Sequence, residues 1–228
     1  MKLYIGNKNY SSWSLRPWLA MRQLGIPFDE VKLRLSTEDG SDFKNALAAI
    51  GAPGKVPVLV EDDGFLTWDT LAIVERLHEL FPTAGVWPAD ARRRARARSI
   101  CAEMHSGFGA LRTHCPMNLE ALLPEVGARV WVEQPQVQRD VARIEQLWGE
   151  ALQVSGGPFL FGAFSAADAY FAPVCARLRN FALPVGDAAS TYAERVFQLP
   201  AMQSWLADAL AEHDFIEEDE PYRQKPAA

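Results

Sequence analysis

The chain has 228 residues, 49% of them hydrophobic, enough to bury a full core in one large domain or two smaller ones. Its formal net charge of −6 opposes nonspecific attraction to nucleic acid, and no stretch reaches the roughly 18 apolar residues of a membrane span. Cys101, Cys115 and Cys175 lack close C-x-x-C spacing, which argues against a disulfide framework and a cysteine zinc site, so no metal is expected.

Met1-Lys2-Leu3-Tyr4-Ile5-Gly6 turns polar too soon for the apolar region of a signal peptide, so a cytoplasmic location is expected; Leu3-Tyr4-Ile5 reads as a short strand. Leu15, Trp18, Leu19 and Leu24 then recur at helical spacing until Gly25 and Pro27. Phe28, Val31 and Leu33 predict a second strand, and Asp42 to Ile50 a short helix ended by Gly51-Ala52-Pro53-Gly54. Val58-Leu59-Val60 and Phe65-Leu66-Thr67-Trp68, joined by Glu61-Asp62-Asp63-Gly64, read as a hairpin. A helix from Asp69 to Leu80 closes the unit before Pro82.

This β-α-β-α-β-β-α order is that of a thioredoxin-like α/β domain over residues 1–82, followed by a linker over 83–89. Strand signals nearly vanish beyond it, and residues 90–228 read as an all-α domain. Its clearest pieces are a long helix from about Asp90 to Thr113, one carrying Val137 to Leu152, one starting at Ser165 and one carrying Met202 to Leu210. Arg92, Arg93, Arg94, Arg96 and Arg98 are read as a solvated or subunit-facing surface. The acidic run Glu217-Glu218-Asp219-Glu220 is read as a solvated end.

Three places carry candidate chemistry. Ser11, Ser12 and Ser14 put more hydroxyls at the mouth of the first helix than one cap needs, where orphan N–H groups and the helix dipole suit an anion such as a thiolate. In Gly54-Lys55-Val56-Pro57, a proline directly before a strand suggests a cis bond that would leave the Val56 backbone free to pair with an extended peptide. Asp69-Thr70 opens a helix, where either could be the N-cap or hold the charged end of a ligand.

Together, S-S-W-S, V-P and D-T on this element order, followed by helices, resemble the glutathione transferase family, most closely its serine-type, zeta-like members. The resemblance covers essentially the whole chain. It implies an enzyme that activates glutathione, as co-substrate, for attack on a hydrophobic electrophile by conjugation or glutathione-dependent isomerisation. It places Ser11, with Ser12 as close competitor, at the glutathione sulfur, and Lys55, Val56 and Pro57 along the cysteinyl part. Asp69 and Thr70 would hold the γ-glutamyl end. Trp13 stands where zeta-like enzymes carry a cysteine, a departure that bears on isomerase activity. Met104, His105, Phe108, Arg112 and Met117 are expected to line the electrophile site, and the assembly to be a homodimer. Ser165 and Asp168 resemble the family's buried capping box, a folding signal. The alternative is a noncatalytic glutathione-binding or scaffold protein with the same fold.

Overall fold

The computed structural model describes residues 1–225. β1 (Lys2–Ile5), α1 (Ser12–Gln23), β2 (Asp29–Lys32), α2 (Asp42–Ala49), β3 (Val58–Val60), β4 (Leu66–Trp68) and α3 (Thr70–Leu80) follow one another in the expected order. The strands form one sheet ordered β2-β1-β3-β4. β1 runs parallel to β2 and antiparallel to β3, and β4 completes the hairpin with Leu59 opposite Thr67.

The two-residue period of the strands sorts their side chains into two cores. Leu3, Ile5 and Leu59 face the main core with α1 and α3, whereas Tyr4, Val58 and Val60 pack against Phe43 and Leu47 of α2. Helices therefore cover both faces of the sheet, which is the thioredoxin-like arrangement.

No strand follows Trp68 among the described residues, only two isolated bridges within Phe159–Ala163. The helices are α4 (Ala91–Ser106), α5 (Gly109–His114), α6 (Pro124–Glu133), α7 (Pro135–Ser155), α8 (Ala166–Asn180), α9 (Asp187–Phe197) and α10 (Pro200–Ala211). None is long and apolar enough to cross a membrane.

The single helix expected from Asp90 to Thr113 is interrupted. Gly107 closes α4 by donating its N–H to the Glu103 carbonyl (2.8 Å), and Phe108 takes a left-handed φ of 53° that starts α5 on a new axis. The periodicity of Met104, Phe108 and Arg112 had hidden this break. The shorter α6 and α9 went unpredicted as well.

The helical region is joined to the sheet domain through a continuous core. α1 packs against α3 on one side and against α8 and α10 on the other. Trp18 of α1 meets Trp205 of α10 edge-on, with ring centroids 5.0 Å apart. Both indoles are buried, so truncating either to alanine would cost about 3–5 kcal/mol. At the other end, the Tyr170 hydroxyl of α8 donates to Thr70 Oγ1 at 2.6 Å, binding the two regions beside the first turn of α3.

The capping box at α8 is present. The Ser165 N–H donates to Asp168 Oδ2 at 2.9 Å, and the Ser165 hydroxyl accepts from the Ala167 N–H. Asp168 is fully buried and also receives the Leu160 N–H and the Tyr192 hydroxyl. Burial nevertheless pushes its carboxyl up to about 6.

Candidate functional site

The loop between β1 and α1 turns back on itself so that Ser11 becomes the N-cap residue of α1. Its side chain makes no capping bond. The Ser11 hydroxyl instead donates to Ser14 Oγ at 2.7 Å, and Ser14 Oγ also receives the Gly6 N–H at 3.1 Å. Hydroxyl protons rotate, so the same pair equally allows Ser14 to donate to Ser11, leaving the Ser11 proton to point outward. Capping is thus not what the Ser11 hydroxyl does, and Ser14, the third hydroxyl of the helix mouth, is fully buried beneath it as its support.

Ser11 and Ser12 open onto a cleft of about 660 Å³ between the sheet domain and the helices. Val56 and Lys55 form part of the opposite wall. The Val56-Pro57 peptide bond is cis, and the Val56 N–H has no protein acceptor among the described residues. Lys44 of α2 donates to the Gly54 carbonyl at 2.8 Å and so holds this segment from behind. Trp13, Lys44, Lys55 and Val56 also line an adjoining cleft of about 670 Å³ that ends at Asp69 and Thr70. Every residue expected to touch glutathione therefore lies along one groove.

At its far end Asp69 is the N-cap of α3, with Oδ1 accepting from the Leu71 N–H at 2.9 Å. Its φ of 70° is unusual for a residue with a side chain. Oδ2 is left to face the groove, where His105 Nε2 lies 3.3 Å away. Thr70 Oγ1 accepts from Tyr170, so its own proton remains available to a ligand.

The expected electrophile residues divide. Arg112 and Met117 line the main cleft. Met104 and Phe108 do not: both are buried in the main core, Met104 on the inner face of α4 with Ala97, Ile100 and Cys101 and Phe108 just past the break. His105 belongs to the Asp69 end, packed edge-on against Trp13 with ring centroids 5.0 Å apart.

Around Trp13 the structure assembles a cationic cluster that the sequence had not revealed. The Arg16 guanidinium, 1% exposed, stacks between Trp13 (4.0 Å) and Tyr170 (4.8 Å), and Arg112 approaches Trp13 at 5.5 Å. Arg177 of α8 reaches the cleft and donates to the Cys115 carbonyl at 2.6 Å. None of the three makes an ion pair among the described residues, and each has a buried guanidinium nitrogen without a partner. Burial lowers Arg16 to about 10 and Arg177 to about 9, and the neighbouring arginine charges add to the effect. Both are still cations at neutral pH. Three positive charges without counterions, two of them buried and the third half-buried, are costly, and an anion in the cleft would relieve them.

The acidic run 217–220 is only in part a solvated end: Glu217 and Glu218 are exposed, but the run turns inward at Glu220. Ile216, Glu218 and Asp219 line the cleft, and Glu220 is 6% exposed. Its Oε1 accepts from the Tyr10 hydroxyl (2.6 Å) and from Asn118 Nδ2 (2.8 Å), and Arg223 binds both its oxygens. Burial pushes the Glu220 carboxyl up, but the Arg223 pair, the Tyr10 hydroxyl and the Asn118 amide overcome this and hold it below the usual value. The basic cluster of α4 also finds carboxylates in its own chain, Arg96 with Glu150 and Arg98 with Glu75.

A thioredoxin-like domain with a groove across its cis-proline loop, backed by helices, defines a class that the comparisons specify. Residues 10–80 match the family described as "Glutathione S-transferase, N-terminal domain". The maleylacetoacetate isomerase of Pseudomonas aeruginosa is 30% identical over 152 residues, 66% of this chain and 70% of that protein. That of Rattus norvegicus is 29% identical over 180 residues, 78% of each chain. Among solved structures, a sphingomonad glutathione S-transferase complexed with glutathione superposes with a TM-score of 0.64 at 26% identity, covering 92% of this chain and 98% of that one. The chain belongs to the glutathione transferase family.

Proposed function

We propose that the protein is a glutathione-dependent enzyme in which the Ser11 hydroxyl donates a hydrogen bond to the glutathione thiolate, ready for attack on an electrophile that carries a carboxylate. The observation that carries this reading is the composition of the cleft. Ser11 and the Val56 backbone share it with Arg112 and Arg177, cations that lack a carboxylate partner among the described residues. Support also comes from the relatives named for isomerising maleylacetoacetate and from the solved neighbour that holds glutathione.

A free thiol of pKa ~8.5 is only a few per cent ionised at neutral pH, so stabilising the anion raises the concentration of nucleophile. A serine O–H directed at the sulfur, together with the N-terminus of α1, would lower that pKa by ~1–2 units, which is about 1.4–2.7 kcal/mol. Ser12, the first residue of α1, is the competing donor. The Val56 N–H and C=O would pair with the cysteinyl part of glutathione as a neighbouring strand would, with Lys55 and Pro57 beside it. Asp69 Oδ2 and the Thr70 hydroxyl would receive the γ-glutamyl end.

With the thiolate in place, Arg112 and Arg177 would bind the electrophile's carboxylate and stabilise the negative charge that develops when sulfur adds to it. Where sulfur adds to a carbon–carbon double bond, conjugation ends when that anionic adduct takes a proton from water. Isomerisation needs rotation about the former double bond and expulsion of the thiolate. Met117 and Ile216 would contact the apolar part of the substrate. By family likeness the assembly is a homodimer.

The test is calorimetric titration with glutathione, followed by turnover measurements on matched acidic and neutral electrophiles. The expected result is binding together with faster turnover of the acidic series. Binding with no turnover of any electrophile would instead favour a glutathione-binding protein without catalysis.

A further inference from the structure

We infer that Glu220 is a positioning residue for the thiolate donor, acting through Tyr10, and that the segment from Glu212 to Arg223 is the strap that delivers it. The inference rests on the serine reading above and extends it to a part of the chain some 200 residues away in sequence.

The loop that ends in Ser11 is tied to its own domain through Ser14, Glu30 and the Leu35 N–H, which donates to Asn7 Oδ1 at 2.8 Å, and is tied as well to α10 and the strap. Glu212 receives the Lys8 N–H (2.8 Å) on one carboxylate oxygen and the Asn9 N–H (3.2 Å) on the other. Trp205 Nε1 donates to the Lys8 carbonyl at 2.9 Å, and Asn7 Nδ2 donates to Asp214 at 3.0 Å. Lys8, buried, closes the set by pairing with Asp208 at 2.6 Å and with Glu30 at 2.9 Å. The segment after α5 contributes the rest: the Leu119 N–H donates to the Asn9 carbonyl and the Glu120 N–H to Asn9 Oδ1.

Glu220 is where these ties converge. Its buried carboxylate binds Tyr10 from the loop, Asn118 from the segment after α5 and Arg223 from the strap itself. Arg223 continues to Glu120 at 2.9 Å. Burial and hydrogen bonding to Glu220 push the Tyr10 phenol up to about 12, so it remains a donor throughout the working pH range. Tyr10 and Ser11 are adjacent, their Cα atoms about 3.8 Å apart, so anchoring the tyrosine ring fixes the stretch of backbone that carries the serine hydroxyl. A hydroxyl that stabilises a thiolate must be held within about 0.5 Å of its working position. A buried carboxylate is a poor way to gain stability alone, since an apolar residue of the same shape usually serves as well. What it adds is a fixed geometry for its three partners.

The experiment compares Tyr10→Phe, Glu220→Ala, Glu220→Gln and Ser11→Ala in the full chain, reading the thiol pKa of bound glutathione from the ultraviolet absorbance of its thiolate, together with kcat and KM. Tyr10→Phe deletes only the hydroxyl and leaves Glu220 paired with Arg223 and Asn118, so it reports even if Glu220→Ala does not fold. Tyr10→Phe and Glu220→Ala are expected to raise the bound thiol pKa by ~0.5–1 unit and to lower kcat by about 10-fold, with the KM for glutathione changed less than about 2-fold. Glu220→Gln keeps an acceptor for Tyr10 and should recover part of the loss. If Ser11→Ala raises the thiol pKa while Tyr10→Phe and Glu220→Ala only lower Tm, the strap is structural and the inference is overturned. If Ser11→Ala leaves the thiol pKa unchanged while the Tyr10 and Glu220 variants raise it, the serine assignment fails and the strap stands, acting on the neighbouring donor.

Discussion

His105 Nε2 lies 3.3 Å from Asp69 Oδ2, so a side chain at the end of α4 shares one carboxylate with the N-cap of α3. The two oxygens of Asp69 are thereby divided: Oδ1 holds the Leu71 N–H, and Oδ2 faces His105, where the proposed ligand amine would also approach. We predict that Asp69→Ala weakens glutathione binding by about 1–3 kcal/mol through loss of a charge-assisted contact, measured by calorimetric titration. Asp69→Asn, which can still cap α3, should fall between the two and retain the parent Tm. An affinity unchanged in Asp69→Ala would take the γ-glutamyl end of glutathione away from α3.

Because the Ser11 hydroxyl is free of any capping duty, its removal should leave α1 intact and fall on the chemistry. Ser11→Ala is expected to lower kcat/KM by ~10-fold or more with glutathione affinity nearly unchanged. Full activity in Ser11→Ala with an inactive Ser12→Ala would move the thiolate contact by one residue.

Arg112→Leu should raise KM or lower kcat for acidic electrophiles more than for neutral ones, at unchanged glutathione affinity. Arg177→Leu should show the same bias, since both guanidinium groups face the cleft without an ion-pair partner among the described residues. Steady-state kinetics on the two electrophile series decides it: equal losses for both would return the arginines to a structural role. Tm reads the fold separately: Arg112→Leu, at a half-buried position, should leave it nearly unchanged, whereas Arg177→Leu removes the donor to the Cys115 carbonyl and should lower it.

Ser165→Ala should cost about 1 kcal/mol or more of stability, since the capped end of α8 is buried, and leave the folded enzyme's kinetics alone. Its partner gives a pH signature. The Asp168 carboxyl is raised to about 6 in the folded protein, so between about 4 and 6 the native state binds more protons than the unfolded one, and stability falls as pH rises through that window. The stability of the parent minus that of Asp168→Asn should therefore drop by about 1–3 kcal/mol from pH ~4 to pH ~6.5, then level off. Denaturant melts at each pH measure the difference, and a rise over the same range would contradict the raised carboxyl.

Much of the N-terminal domain could be read from the sequence because its signals are local. The hairpin of β3 and β4 is written in two apolar runs around Asp62-Asp63-Gly64, and the α8 cap in two residues three apart. The arginine cluster could not be found that way. Arg16, Arg112 and Arg177 come from α1, α5 and α8, and only the packing of those helices brings them together. Arg177 had left one trace, a charge within the apolar run of α8. The misplacing of Phe108 has a different cause: helical periodicity continues in the sequence across Gly107, where the backbone does not, while Met104 belongs to the core-facing stripe of α4. Glu220 was misread because a run of acidic residues ordinarily faces water, and nothing nearby announces a tyrosine 210 positions earlier.

The tie between Tyr10 and Glu220 also sets an order of events during synthesis. The sheet domain leaves the ribosome first with all its strands and three helices, but the loop bearing Ser11 is fastened by residues translated roughly 200 codons later. At about 5–20 residues per second, that interval is roughly 10–40 s. Throughout it the loop between β1 and α1 lacks the side chains that fasten it in the finished chain, so on the proposed serine role thiol activation would wait until the helices are in place.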